Sequence, residues 1–209
     1  MKKNYAEHLK HPVFKVTRDI IDEHNLEAYV IGGFVRDLIL ERPSNDIDIV
    51  VVGSGLDLAK LVSQKLRVKK VSYFKSFGTA HFNYKDLDVE FVGARKESYQ
   101  RDSRKPIVED GTLADDQKRR DFTINALALD LRSETFGDIV DPFNGLEDLE
   151  KELIRTPLEP KTTYSDDPLR MMRAIRFASQ LNFKIENESL SAIKENAYRL
   201  EIISKERIT

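Results

Sequence analysis

The sequence predicts an α+β protein: a small mixed, mainly antiparallel sheet with flanking helices, followed by an all-helical segment. Three observations carry this. Apolar, β-rich runs cluster between residues 28 and 92, separated by glycine or polar turns. Helical apolar spacing brackets them at 12–24 and 56–67. From Pro160 onward only helical patterns remain. The 209 residues suffice for one or two domains with a real core. A boundary is expected near residue 157, giving segments 1–157 and 158–209.

Residues 12–24 read as an amphipathic helix with Pro12 in its first turn and Val13, Phe14, Val16, Ile20 and Ile21 on the apolar side. Ala28-Tyr29-Val30-Ile31 is a short strand ended by Gly32-Gly33, and Phe34 to Leu40 restores helical spacing. After Arg42-Pro43-Ser44-Asn45 comes a second strand, Asp46 to Val52. Ser54 or Asp57 can cap the helix 56–67, whose Leu58, Val62 and Leu66 repeat every four residues. Three β-like runs follow, 70–74, 79–84 and 87–92, joined by Gly78 and by Lys85-Asp86. The stretch 93–116 is polar, and reads as a mobile loop leading to a short helical approach to Arg119. Apolar periodicity returns over 121–132, Asp141 to Gly145 makes a turn, and a short helix 145–151 precedes a strand-like 153–155. Ser165 is expected to cap one helix running through Gln180, with Pro168 in its first turn. Asn187 would cap another, with Leu190, Ile193, Ala197 and Leu200 on one face. Ser204 looks like a third cap, so the helix it begins would be cut off within a turn, as in a fragment of a longer chain.

Composition narrows the classes. With 40% hydrophobic and 33% charged residues there is no apolar run near membrane-spanning length. Cysteine is absent, which removes disulfide frameworks and thiolate zinc sites. The polar start Met1-Lys2-Lys3-Asn4 is no signal core, and the expected location is cytoplasmic. A net charge of −2 does not announce nucleic acid, although Lys65–Lys70, Arg101–Lys105 and Lys118–Arg120 could form a basic face. The four histidines, His8, His11, His24 and His81, lack ligand spacing.

The chemistry concentrates at residues 28–50. Asp46 and Asp48 lie two apart on a strand, so they share a face while Ile47 and Ile49 point to the other. Paired carboxylates repel unless cations neutralise them, and oxygen ligands suit magnesium. The Gly32-Gly33 turn before a helix offers backbone N–H groups to a phosphate. A phosphate cradle one strand from a metal site points to nucleotidyl transfer.

Gly32-Gly33-Phe34-Val35-Arg36-Asp37 with Asp46-Ile47-Asp48 resembles the signature of the class II tRNA nucleotidyltransferase and poly(A) polymerase family, in the polymerase-beta-like superfamily. Arg119-Arg120-Asp121-Phe122-Thr123-Ile124-Asn125 is similar to that family's R-R-D-x-x-x-N element, a ribose and triphosphate contact. Asp166-Asp167-Pro168-Leu169-Arg170, with Arg173, Arg176 and Phe177, resembles its E-D-x-x-R element, with Asp166 where Glu is usual. The likeness covers about residues 28–180, three motifs in the family's order. It implies a nucleotidyltransferase head followed by a helical neck that holds the nucleobase. It also implies Mg2+, CTP and ATP, and transfer of CMP or AMP to the 3′ end of RNA, most often tRNA, with release of pyrophosphate. No membrane partner is implied.

Physical reasoning supports the same residues. In-line phosphoryl transfer needs positioning and charge neutralisation more than covalent help. Two magnesium ions about 4 Å apart can activate a 3′-hydroxyl and hold the leaving pyrophosphate; Asp46 and Asp48 would carry them. Glu90, on the strand 87–92 that resembles the family's third-acid strand, is the expected third carboxylate, and Asp88 on the same face is the alternative. Arg36, Arg119 and Arg120 suit phosphate through their guanidinium forks, although Arg36 could instead pair with Asp37 or Asp46. Asp121 and Asn125, four apart, could share a helical face and hold ribose hydroxyls, or could cap helices. On a helix Asp167 and Arg170 would point together into a cleft. The carboxylate accepts and the guanidinium donates, which suits the amino groups and ring acceptors of cytosine and adenine and repels the carbonyls of uracil and guanine. Arg173 and Arg176 extend that row, while Met171, Met172, Ile175 and Ala178 form its apolar side. Poly(A), CC-adding and A-adding activities carry the same motifs, and a nucleotide-binding regulatory module without catalysis is the alternative of another class.

Overall fold

The computed structural model describes residues 3–98 and 107–203. Helix α1, Pro12–Glu23, leads into β1, Ala28–Ile31; α2, Gly33–Ile39, follows at once, and β2 spans Asp46–Val51. Helix α3, Gly55–Lys65, is capped by Ser54, whose hydroxyl accepts from the Asp57 amide at 3.2 Å. Strands β3, Ser72–Phe74, β4, Thr79–Tyr84, and β5, Leu87–Gly93, complete the run of β-formers. Next come β6, Arg95–Ser98, β7, Ile107–Asp110, α4, Leu113–Lys118, β8, Ala128–Asp130, and β9, Ile139–Val140. Helix α5, Gly145–Glu150, and β10, Leu153–Ile154, precede α6, Pro160–Asp166, α7, Leu169–Leu181, β11, Lys184–Ile185, and α8, Asn187–Asn196.

Seven strands form the main sheet in the order β3-β4-β5-β2-β1-β8-β9. Its neighbours are antiparallel except β2 and β5, which run parallel because α3 and the β3–β4 hairpin intervene. The expected α+β class with a mixed, mainly antiparallel sheet is therefore what forms. Register does the functional work: Asp46 faces Asp88 and Asp48 faces Glu90. Alternation sends Ile47, Ile49, Val89 and Phe91 to the opposite face, where they pack with Val13, Phe14, Ile20 and Ile21 of α1 and Leu58 and Val62 of α3. Each such side chain contributes about 1.5–3 kcal/mol on burial. The same cluster continues through Phe122, Leu127 and Ile154 to Tyr164, Met171 and Ala174 of the helical segment.

Several sequence expectations are corrected. The stretch 93–116 is not all loop before its helix: β6 and β7 pair antiparallel, Arg95 opposite Asp110. This ribbon buries no apolar face, so it lacks the alternation by which strands are read. Residues 99–106 lie outside the described residues. The approach to Arg119 is helical as expected; α4 starts at a capping box in which Thr112 and Asp115 bond each other's backbone. The single helix expected from Ser165 to Gln180 is two. Proline disfavours helical geometry in the residue before it, and Asp167 is extended at φ −132°, ψ 98°. Ser165 lies inside α6, whose cap is Glu159, accepting from the Lys161 and Thr162 amides at 2.9 and 2.6 Å. Nor is the end all helical, since β11 pairs parallel with β10. Glu186, not Asn187, caps α8, accepting from Ser189 N at 2.9 Å. Its buried face is Ser189, Ala192 and Asn196 because α6 packs there, leaving Leu190 exposed. The expected helix from Ser204 lies outside the described residues.

Candidate active site

Gly32 turns the chain from β1 into α2 at φ +86°, a conformation that favours glycine. A Cβ there would stand 2.9 Å from Nη1 of Arg120 and 3.5 Å from Oδ2 of Asp48. The turn therefore fits between the acids and the arginines only without a side chain. The Gly32 amide is committed to Leu127 O at 3.1 Å, so the donors the turn can offer start with Gly33, in the first turn of α2.

Strand β2 delivers Asp46 and Asp48 to the sheet face opposite the α1–α3 core, and β5 sets Asp88 and Glu90 beside them. On β4, His81 pairs in register with Glu90, and its Nε2 is hydrogen bonded to Asp88 Oδ1. Asp88 is thus held by histidine, while Glu90 and Asp48 open into one cavity. Burial pushes the Asp48 carboxyl up from its ordinary pKa; Arg120 draws it down, and Glu90, Asp46 and Asp116 push it up again. Acids crowded this way are relieved by a hard divalent cation, and their all-oxygen donor set fits one. As positioned, no three His, Asp or Glu side chains among the described residues gather at mutual ligand distance; Asp46, Asp48 and Glu90 are the acids that would hold a cation on this face.

The opposite wall is basic. Arg119 and Arg120 both bind Asp116, whose side chain is fully buried, with Arg119 Nη2 at 2.6 Å and Arg120 Nη2 at 3.1 Å. Arg119 also reaches Glu97 of β6 at 3.3 Å, and Arg95 reaches that carboxylate at 3.0 Å. Gln117, 1% exposed, fixes α4 by donating to Ala126 O at 2.7 Å and Val140 O at 3.2 Å.

The third wall comes from the helical segment. Arg173 donates to Asp121 Oδ2 at 2.7 Å; the other Asp121 oxygen accepts from Asn125 Nδ2 at 3.1 Å. Asn125 in turn accepts from Arg36 Nη1 at 2.8 Å, and Arg36 binds Asp37 through two bonds of 2.9 Å. Asp121 and Asn125 meet as expected, but across a 3₁₀ turn at Thr123–Asn125 rather than on an α-helix. Arg36, Arg173 and Arg176 stand over the Phe177 ring at 5.1, 5.3 and 5.5 Å. Asp167 is not on the helix that carries Arg170. Its Oδ1 accepts from Leu169 N at 3.2 Å, starting α7, while Arg170 Nη2 donates to the carbonyl of Arg119. Burial raises the Asp166 carboxyl, and Arg170 and Arg199 draw it down.

These walls enclose a cavity of about 560 Å³ lined by Asp48, Thr79, Glu90, Val92, Arg95, Arg119, Arg120, Asp121, Asp167, Arg170 and Arg173. Of the expected residues, Gly32, Gly33, Arg36, Asp46, Asn125 and Arg176 are not on its lining. Asn125 links Asp121 to Arg36, and Arg176 is exposed over the Phe177 ring. Sequence reading missed Thr79, Arg95, Glu97, Asp116 and Gln117. Asp116 had a signal, standing in the last turn of a helix three and four residues before the arginine pair that follows it. A larger hollow of about 730 Å³ lies by α6 and α8, but of the acids lining it Glu159 and Glu186 serve as helix caps and Glu195 pairs with Lys161.

An acidic rung on a mixed sheet thus faces a cavity walled by arginines and by the helical segment. A family model described as the poly A polymerase head domain matches residues 28–155, and one described as the probable RNA and SrmB-binding site of polymerase A matches 182–209. The chain belongs to the class II tRNA nucleotidyltransferase and poly(A) polymerase family. It is 41% identical to the CCA-adding enzyme of Enterococcus faecalis over 201 residues, 94% of this chain and 47% of that one. It is 42% identical to the A-adding tRNA nucleotidyltransferase of Aquifex aeolicus over 170 residues, 81% of this chain and 20% of that one. A crystal structure of a tRNA nucleotidyltransferase complexed with a primer tRNA and an incoming ATP analog superposes with a TM-score of 0.80 at 36% identity, over 92% of this chain and 53% of that one. A CCA-adding enzyme in complex with CTP gives 0.81 at 34% identity, over 94% and 44%. The chain thus spans about half or less of the length of these relatives.

Proposed function

We propose that this chain is the catalytic head, residues 1–157, and the start of the neck, 158–209, of a cytoplasmic enzyme that extends the 3′ end of tRNA. It adds CMP and AMP from CTP and ATP without a nucleic-acid template and releases pyrophosphate. One observation carries the reading: acids for transfer, cations for a triphosphate and a carboxylate–guanidinium pair for a base all line one cavity. The tRNA, CTP and ATP named for the related structures support the choice of substrates.

Asp46, Asp48 and Glu90 would hold magnesium, which when bound lowers the pKa of the attacking hydroxyl and neutralises charge on the phosphates. Arg119 and Arg120 bind the triphosphate through the guanidinium edges turned to the cavity. The 3′-oxygen attacks the α-phosphorus, the bond to the β-phosphate oxygen breaks, and pyrophosphate departs toward these arginines. Asp121, tied to Arg173 and Asn125, holds the ribose. Arg36 keeps Asn125 in place from behind, and Arg176 packs with Arg173 against Phe177. Asp167 accepts from the amino group of cytosine or adenine and Arg170 donates to the ring acceptor. The Arg170 bond to the Arg119 carbonyl sets the plane in which that base is read.

The test supplies magnesium and tRNA ending before, within or just short of CCA, with each nucleotide singly and with CTP plus ATP. Addition of C, C and A with UTP and GTP refused is the expected result. No incorporation, together with CTP binding indifferent to magnesium and to Asp48→Asn, would overturn it in favour of a non-catalytic module. A single A added only to ends in CC would give the second reading, which likeness to the A-adding relative supports.

A further inference from the structure

Asp116 stands behind the basic wall, touching neither the cavity nor solvent. Its two oxygens are divided between two guanidiniums. Oδ1 accepts from Arg119 Nε at 2.9 Å and Nη2 at 2.6 Å, while Oδ2 accepts from Arg120 Nε at 3.1 Å and lies 3.1 Å from its Nη2 in an ion pair. Each guanidinium is therefore gripped along the same edge, and both still line the cavity. Helix α4 makes this possible. Its capping box fixes one end, Gln117 fixes its buried side, and positions i+3 and i+4 from Asp116 bring the two arginines to one place. Two adjacent guanidiniums repel each other; a single buried carboxylate shared between them removes that repulsion and cancels one of their two charges.

We propose that Asp116 is a positioning residue for the incoming nucleotide: it never meets the substrate, but orients Arg119 and Arg120 together so that both forks meet the phosphates beyond the α-phosphate. This rests on the nucleotidyl-transfer reading. A carboxylate serving stability alone would affect every ligand alike; this one acts on the β- and γ-phosphates and leaves the nucleoside and α-phosphate contacts in place.

The experiment compares CTP and CMP binding by calorimetry in excess magnesium. Wild type is expected to prefer CTP. Asp116→Asn is expected to cut CTP affinity by about tenfold or more, the scale of charge-assisted hydrogen bonds, while CMP affinity stays within about twofold. Asp116→Glu, which keeps the charge but displaces it, is expected to restore part of the preference. In an Arg119→Gln, Arg120→Gln background, where no cations oppose the carboxylate, adding Asp116→Asn is expected to change nothing further. Equal loss of CTP and CMP binding in Asp116→Asn would overturn the proposal, as would a further loss of CTP preference in the arginine-free background. If Asp116→Asn does not fold, an Asp116→Glu protein with full wild-type CTP preference would overturn it. Wild type with no preference for CTP over CMP would instead sink the nucleotidyl-transfer reading.

Discussion

At Gly32 a backbone requirement and a side-chain requirement coincide. Its φ of +86° strains any L-residue, and a Cβ would meet Arg120 at 2.9 Å. Gly32→Ala is expected to lose about 1–3 kcal/mol of stability and to reduce CTP binding, since Arg120 must yield; thermal melts and calorimetry check both. At Arg170 the demand is geometric: the residue is 9% exposed and its guanidinium leans on the Arg119 carbonyl. Arg170→Ala is expected to lower the preference for CTP over UTP by about tenfold or more, the scale set by leaving a base-reading hydrogen bond unmade, read by competitive incorporation. Spacing along a strand singled out Asp46 and Asp48, and resemblance to the family's motifs singled out Arg119, Arg120 and Arg170; all of these but Asp46 line the cavity. Neither told which guanidiniums face the cavity. For Arg36 the sequence left phosphate binding and a pair with Asp37 or Asp46 both open, and the guanidinium is bound by Asp37 and Asn125.

Among the elements, β2 and β5 were readable from a buried face, whereas β6 and β7 have none and were not read. Strands β2 and β5 announce themselves because Ile47, Ile49, Val89 and Phe91 must leave water. Strands β6 and β7 carry no such stripe, and only pairing with each other makes them strands. The break between α6 and α7 had a visible cause in Pro168, but proline is also tolerated in a first helical turn, so sequence alone allowed either outcome. Helix α5 carries an electrostatic prediction. Burial raises the Asp148 carboxyl, with the Thr123 hydroxyl and Arg155 partly offsetting it. A carboxyl raised on folding stabilises the fold while it is protonated, and that contribution is lost as pH rises through its folded pKa. Asp148→Asn should therefore gain on wild type in melting temperature at neutral pH, and the gap should close on acidification below the raised pKa.

For the whole molecule, the head and the helical segment share one apolar interior. Met171 and Ala174 of α7 are fully buried in the same cluster as Ile47 and Phe91 of the sheet. Met171→Ala and Ile47→Ala, one from each part, are both expected to cost about 2–5 kcal/mol and to leave a single unfolding transition in circular dichroism; two separated transitions in either variant would contradict a shared interior. Sequence periodicity suggested a boundary near residue 157, because it registers changes in local pattern. It cannot register that β11 returns to pair with β10 across that point. Motif order conveyed the family, whereas closure of the third wall on the cavity emerged only in three dimensions.

The parallel pairing of β2 with β5 also constrains how such a chain can change its length. Asp48 meets Glu90 only if both strands keep their phase. Gaining or losing one residue inside either strand would turn its acids into the oil of the core and its isoleucines or valines into the cleft. The same change in the turns at Lys75–Gly78 or Lys85–Asp86 is absorbed without touching the rung. Insertions and deletions that preserve chemistry should therefore collect in those turns, while the interiors of β2 and β5 hold a fixed count. The acids of the rung are guarded by arithmetic as much as by their own identity.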